Sequence, residues 1–289
     1  MPTQTDLLIH PNPLGPDAVG EIISVNPERA GWQHISFGVR SFRAGDRLSG
    51  ETGDNETALV ILGGQCDVES TAGNWKGLGK RTHVFDGLPY ALYLPRRTAY
   101  AVRAATPLEV AFCSARAERD FPARLIQPQD VEVEIRGGKN VTRQISHVVK
   151  PEFPAHRLLI VEVYTPSGNW SSYPPHKHDE ANPPHEVKLE EIYYYKISHP
   201  EGFAIQRLYT KDGRVDETLT VRTNDLVLVR EGYHPVVAGP GYHCYYLNVL
   251  AGDVRSMQAA DDPTYAWVRE TWAPRETDSP LNGLIGGKG

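Results

Sequence analysis

The chain is patterned with a short period. Strand-length runs of alternating or β-branched residues recur from end to end, each bounded by Gly or Pro. In the first half they are HISFGVRSF (34–42), TALVILGG (57–64), YALYLP (90–95), AYAVRAA (99–105) and LEVAFCSA (108–115). In the second half they are RLLIVEVYT (157–165), EIYYYKI (191–197), FAIQRLYT (203–210), LTVRTNDLVLV (219–229), HPVVAG (234–239) and HCYYLNVLAG (243–252). Such runs joined by short turns predict an all-β protein, a sandwich or barrel, with few helices. The stretch 118–135 is polar, Pro-interrupted and poorly periodic, which makes it a connector, and GGKNVTRQ (137–144) places a turn before a second β-rich half.

The halves repeat one order of events: extended strands, a polar acidic loop, then a strand–Pro–strand element. That element is LPRRTAYAV (94–102) in the first half and VREGYHPVV (229–237) in the second. Duplication of one β-barrel unit accounts for the echo. The predicted division is an N-terminal domain over 1–136, a C-terminal domain over 137–274 and a flexible tail over 275–289, whose RETDSPLNGLIGGKG is Gly-rich and patternless.

Composition narrows the function. The 289 residues include 40% hydrophobic and 23% charged positions, as in a soluble globular protein. The net charge of −6 provides no basic field for nucleic acid or anionic lipid, so a small acidic substrate would need a local Arg or Lys. No apolar run reaches the length of a membrane span, and MPTQTDLLIHPNP lacks the apolar core of a signal peptide. Three scattered cysteines (Cys66, Cys113, Cys244) argue against a disulfide scaffold and for a reducing cytoplasm. The edge strands and 14 Tyr leave room for a homo-oligomer.

Chemistry concentrates in the histidines. In SSYPPHKHDE, His176 and His178 stand two apart, so on a strand both rings face one way while Lys177 faces the other. Imidazoles with one carboxylate suit a divalent metal of the Zn, Mn, Ni or Fe type. The carboxylate candidates are Glu190 and Glu191, and His234 in a Gly-Tyr-His-Pro turn is a candidate fourth ligand. His243 is expected to be a hydrogen-bonded strand residue. His156 and His199 lie beside prolines in turns, and His10, His34, His83 and His147 belong to no evident constellation.

His-x-His, a Glu opening a strand and a later Gly-x-His together resemble the two motifs of cupin barrels. The fuller resemblance is to the 5-deoxy-glucuronate isomerase family of inositol catabolism, itself related to the 5-dehydro-4-deoxyglucuronate isomerases of pectin breakdown. It is carried by NVTRQ (140–144), SSYPPHKHDE (171–180), LEEIYYYKI (189–197), GFAIQRLYT (202–210), DLVLVREGYHPVVAGPGYHCYYLNVLAG (225–252) and DPTYAWVRETW (262–272). The resemblance implies a bicupin, two tandem double-stranded β-helix (jelly-roll) barrels. The N-terminal barrel would be metal-free and the C-terminal one would hold a single divalent ion on His176, His178, Glu191 and His234. Glu191 is preferred over Glu190 because the family's Glu directly precedes the aliphatic and aromatic run, here IYYY. DEANPPHEVKLE (179–190) is longer than the usual spacer between the second His and the Glu, so it is expected to act as a lid or substrate contact. It also brings His185 and Glu186 forward as weaker alternative ligands.

The implied reaction is conversion of 5-deoxy-D-glucuronate to 5-dehydro-2-deoxy-D-gluconate, an aldose–ketose isomerisation by proton transfer through an enediol or by a hydride shift. Tyr193 and Tyr195 are in phase with Glu191, and Tyr195 is a candidate acid–base group. Arg143 matches a family position and could clamp the substrate carboxylate bidentately. Gln206 and Arg207 face opposite ways, so only one of them can line the cavity. Two other functions use a similar scaffold: a metal-dependent cupin dioxygenase and a non-catalytic sugar-binding bicupin.

Overall fold

A computed structural model describes residues 6–14 and 19–272. The expected tail over 275–289 lies outside the described residues. The protein is all-β, and its described residues are built almost entirely of antiparallel strands, with one helical turn at Pro27–Ala30 and short 3-10 turns. It divides into two compact units that are not contiguous in sequence. One gathers Met1–His10, Val133–His147 and Ile160–Gly289; the other gathers Pro11–Glu132 and Val148–Leu159.

In the second of these units a six-stranded sheet runs in the order Arg124–Ile126, Ala91–Leu94, Asn55–Gly63, Leu108–Arg116, Ile35–Phe42, Gly20–Val25. A four-stranded sheet of Arg47–Glu51, Ala99–Ala104, Cys66–Ser70 and Gly73–Leu78 closes over it. The alternating apolar residues seen in the sequence meet between the sheets: Leu59, Ile61, Leu92, Leu94 and Val110 from one, Val68, Val102 and Ala104 from the other. Segment Val148–Leu159 is held in this unit by Glu56. That fully buried carboxylate accepts from the backbone N–H groups of His156 (2.6 Å), Arg157 (2.5 Å) and Leu158 (2.8 Å) and from the Tyr93 hydroxyl (2.7 Å). A charge so deep is tolerable because donors surround it.

The other unit repeats the arrangement. Its seven-stranded sheet has the order Leu8–Ile9, Leu226–Val229, Glu190–Ile197, Cys244–Ala251, Leu159–Thr165, Arg143–Val149, Glu132–Arg136. Its four-stranded sheet is Trp170–Ser171, Val236–Ala238, Ala204–Tyr209, Asp216–Val221. Leu8 and Ile9 pair with Val227 and Leu226, which is why the N-terminal residues belong to this unit. Between the sheets lies a core of Val161, Val163, Tyr193, Tyr195, Leu208, Leu219, Val227, Val236 and Tyr246. The two-residue strand His176–Lys177 stands apart from both sheets and pairs with Ala260–Asp261, bringing the later segment beside the His-x-His motif. Among the described residues no helix is long and apolar enough to cross a membrane, and all three cysteines are buried free thiols.

Candidate metal centre

Three short elements supply the cluster. His176 opens the strand His176–Lys177 and His178 directly follows it, Glu191 comes from the strand Glu190–Ile197, and His234 from the segment before Val236–Ala238. The ligand atoms of His178, Glu191 and His234 all lie within 4.8 Å of one another, and all three residues are buried. His178 Nε2 is 2.8 Å and His234 Nε2 3.3 Å from Glu191 Oε2. His176 stands beside this triad, its ring centroid 4.8 Å from that of His234. Glu190 does not line the cavity; register places it on the opposite face from Glu191.

Backbone carbonyls fix the rings. His234 Nδ1 bonds the Gly232 carbonyl at 2.9 Å and His178 Nδ1 bonds the Leu189 carbonyl at 3.2 Å. A carbonyl can only accept, so in both rings Nδ1 carries a proton and Nε2 is the nitrogen turned toward Glu191, with His178 Nε2 in hydrogen-bond contact with that carboxylate. Two imidazole nitrogens and a carboxylate oxygen converge there, a donor set that suits a cation when His178 Nε2 is deprotonated. His234 Nε2, deeply buried, has no hydrogen-bond partner. Burial pushes the pKa values of both His176 and His234 down to about 3, so a proton is a poor occupant there. For His178, burial acts in the same direction, but Glu191 outweighs it and its pKa is raised. The cluster is compatible with a divalent metal ion, and its outer hydrogen bonds are of the kind that orient histidine ligands.

The surrounding polar network holds the cluster's backbone. Lys177, projecting away from its flanking histidines, binds Asp179 (2.7 Å), Glu180 (2.9 Å) and Glu186 (3.0 Å). Buried Glu186 also accepts from the N–H groups of Asp179 and Glu180, while His185 is exposed. Of segment 179–190 only Leu189 lines the cavity; the rest of it braces rather than covers. Asp179 Oδ2 in turn accepts from Gly232 N at 2.6 Å. Gly232 has φ +84°, and a Cβ there would meet the Tyr209 carbonyl oxygen at 2.5 Å. We expect Gly232→Ala to cost roughly 1–3 kcal/mol of strain and to displace the His234 turn. Thermal unfolding together with metal content checks this, and a variant equal to wild type in both would refute it.

The cluster opens into a cavity of about 180 Å³. Its walls include Ile145, Val161 and Val163; its polar lining includes Arg143, Tyr193, Tyr246 and Asn248. Arg143 is buried, and its Nη1 donates to the Val141 carbonyl at 3.0 Å. Among the described residues it makes no ion pair, unlike Arg136 with Glu134 and Arg269 with Asp261. Burial lowers its pKa to about 10, leaving it charged at neutral pH. Tyr193 lines the cavity, whereas Tyr195 lies one pleat deeper, where its hydroxyl donates to Gln206 Oε1 at 2.8 Å and its ring stacks on Tyr193. Of the pair on the next strand, Gln206 is buried in that core, while Arg207 turns outward to Asp216. His243, half-buried, accepts from Ser167 N at 3.2 Å, away from the cluster. Tyr246, Asn248, Arg136, Asp261 and Arg269, which no motif singles out, also line the cavity, and so does His147, which by sequence belongs to no constellation. For His147 a signal existed: Arg143, Ile145 and His147 alternate on one strand and share its inner face.

Known proteins resemble this chain in sequence and in fold. The KduI/IolB family model matches residues 8–268. A 5-deoxy-glucuronate isomerase of Geobacillus thermodenitrificans is 47% identical over 257 residues, spanning 89% of this chain and 94% of that protein. The crystal structure of an IolB-like protein from Salmonella typhimurium LT2 superposes with a TM-score of 0.88 at 38% identity, covering 91% of this chain and 98% of the other. At 8% identity, oxalate decarboxylase of Lactobacillus farciminis shares the fold alone, with a TM-score of 0.63 and 90% coverage of both chains. On the match of a family model over nearly the whole chain and on relatives of this similarity and coverage, the protein belongs to the KduI/IolB family.

Proposed function

We propose that this chain is a cytoplasmic, metal-dependent 5-deoxy-glucuronate isomerase of inositol catabolism. It would turn the aldose 5-deoxy-D-glucuronate into the ketose 5-dehydro-2-deoxy-D-gluconate. Each unit would be one cupin barrel, the C-terminal one catalytic and the N-terminal one a structural partner. The observation that carries this reading is a buried His178–Glu191–His234 cluster opening on a cavity that also holds a buried Arg143, which has no carboxylate partner among the described residues. The isomerases among its relatives supply the substrate.

His178, Glu191 and His234 would hold the ion, with the adjoining His176 as fourth ligand. When bound, the cation supplies Lewis-acid polarisation of the substrate carbonyl and its neighbouring hydroxyl. The remaining work falls to the chain's own residues. Arg143 binds the far carboxylate. Tyr193 and Tyr246, whose pKa values burial raises, stay neutral and donate hydrogen bonds to sugar oxygens. Tyr195, through its stack on Tyr193, fixes that ring. Ile145, Val161 and Val163 form an apolar wall suited to the deoxygenated carbon, which needs no hydrogen-bond partner.

The test is incubation with 5-deoxy-D-glucuronate, with and without a chelator, following the ketose by NMR under air and under nitrogen. Ketose should form in both atmospheres and stop on chelation. An unchanged substrate spectrum, or turnover that requires O₂, would reject the isomerase assignment.

A further inference from the structure

An aldose–ketose isomerisation by proton transfer needs a group that removes a proton from carbon and returns it one carbon away. Resting on the isomerase reading, the cavity can be searched for that base. His176, His178 and Glu191 are committed to the cluster. Asp261 is bound by Arg269, with one contact at 2.7 Å. The tyrosines are held neutral by burial, and the arginines are cations. One uncommitted base remains among the lining residues, His147.

His147 lies on the strand Arg143–Val149, on the same face as Arg143, next to the strand Glu132–Arg136. Its side chain is 14% exposed, and its Nε2 is 3.4 Å from Glu134 Oε2. Glu134 is itself fixed by Arg136, through Nε at 2.8 Å and Nη2 at 2.7 Å. An ionised carboxylate accepts only, so it favours the tautomer with hydrogen on Nε2 and leaves the Nδ1 lone pair as the basic site. Nδ1 makes no hydrogen bond among the described residues. A nitrogen base oriented from behind by a carboxylate is the arrangement general-base catalysis requires.

We infer that His147, oriented by Glu134, is the general base that moves the proton between C2 and C1 of the substrate. Nδ1 takes the proton from C2, and the C–H electron pair becomes the C1=C2 bond. The carbonyl pair moves onto O1, which gains a proton. The resulting enediol then collapses: O2 loses its proton, its electrons form the C2=O bond, and the C1=C2 pair accepts the proton from the His147 imidazolium at C1. One proton has moved from C2 to C1 and one hydroxyl proton has been exchanged for another, with no change in oxidation state overall.

The experiment compares wild type, His147→Ala, His147→Gln and Glu134→Gln, each loaded with metal, by turnover of 5-deoxy-D-glucuronate in D₂O. The His147 variants should keep wild-type metal content and KM while kcat falls about 10²–10⁴-fold, the usual contribution of a positioned base. Added imidazole should partly restore His147→Ala but not His147→Gln, whose side chain fills the space, and the rescued ketose should carry solvent deuterium at C1. Glu134→Gln should lower kcat with metal content unchanged. Turnover of His147→Ala within threefold of wild type overturns the inference. So does a loss accompanied by loss of metal, or one imidazole does not restore, since either assigns His147 a structural part. A wild-type enzyme that does not isomerise this substrate fells the isomerase reading and this inference with it. Isomerisation independent of His147 fells the inference alone.

Discussion

Replacing His234 by alanine is expected to strip the protein of its metal and to lower kcat/KM on the order of 10³-fold or more, while the fold persists. The ring is wholly buried, and its Nδ1 is occupied by the Gly232 carbonyl, so Nε2 alone is left to serve a partner. A buried polar atom without a partner costs about 1–3 kcal/mol, and a bound cation would remove that cost. Alanine deletes one donor of the set and leaves Glu191 and His178 facing a void. Loss of a Lewis acid worth several kcal/mol to the transition state would give a rate effect of this size. The core of the unit lies between the two sheets and does not include His234, so circular dichroism should change little. Elemental analysis of the purified variant decides the matter: wild-type metal stoichiometry would remove His234 from the ligand set. His178→Ala should behave alike.

Arg143→Ala is expected to weaken recognition of the acid more than the chemistry itself. The guanidinium is buried, faces the cavity and has no carboxylate partner among the described residues, so a substrate carboxylate would complete it. Charge-assisted hydrogen bonds contribute about 1.5–3 kcal/mol each, and a bidentate pair should raise KM roughly 10²-fold when it is lost. Arg143→Lys should recover only a fraction, because an ammonium cannot match the two carboxylate oxygens in one plane. The diagnostic is a substrate analogue with the carboxylate reduced to an alcohol. Wild type should prefer the acid strongly, and the alanine variant should lose that preference. An unchanged ratio would place the carboxylate elsewhere.

Much of this was legible before folding because its causes are local. Alternation of apolar residues with period two, punctuated by Gly and Pro, is enough to predict strands, since a strand exposes alternate residues to one core. The same period puts His176 and His178 on one face with Lys177 opposed, and Glu191 opposite to Glu190. Neighbouring signals misdirected where the period alone could not settle depth. Tyr193 and Tyr195 share a face, yet only pairing with the rest of the sheet puts one at the cavity and the other beneath it. Segment 179–190 looked like a cover because it is polar and inserted. It braces instead, because Glu186 finds Lys177 and two backbone donors once the chain turns back.

By itself, then, the sequence determined the all-β class, the run of strands, and which residue types could hold a cation and where they alternate. Tertiary structure alone decided which of eleven histidines meet. It set His234 against Glu191, gave His178 and His234 a carbonyl behind each ring, left Arg143 without a carboxylate among the described residues, and brought His147 to the cavity with Glu134 at its back. The physical reason is that pairing between strands distant along the chain fixes which side chains share a space. That pairing depends on the packing of the whole sheet, which no local pattern encodes.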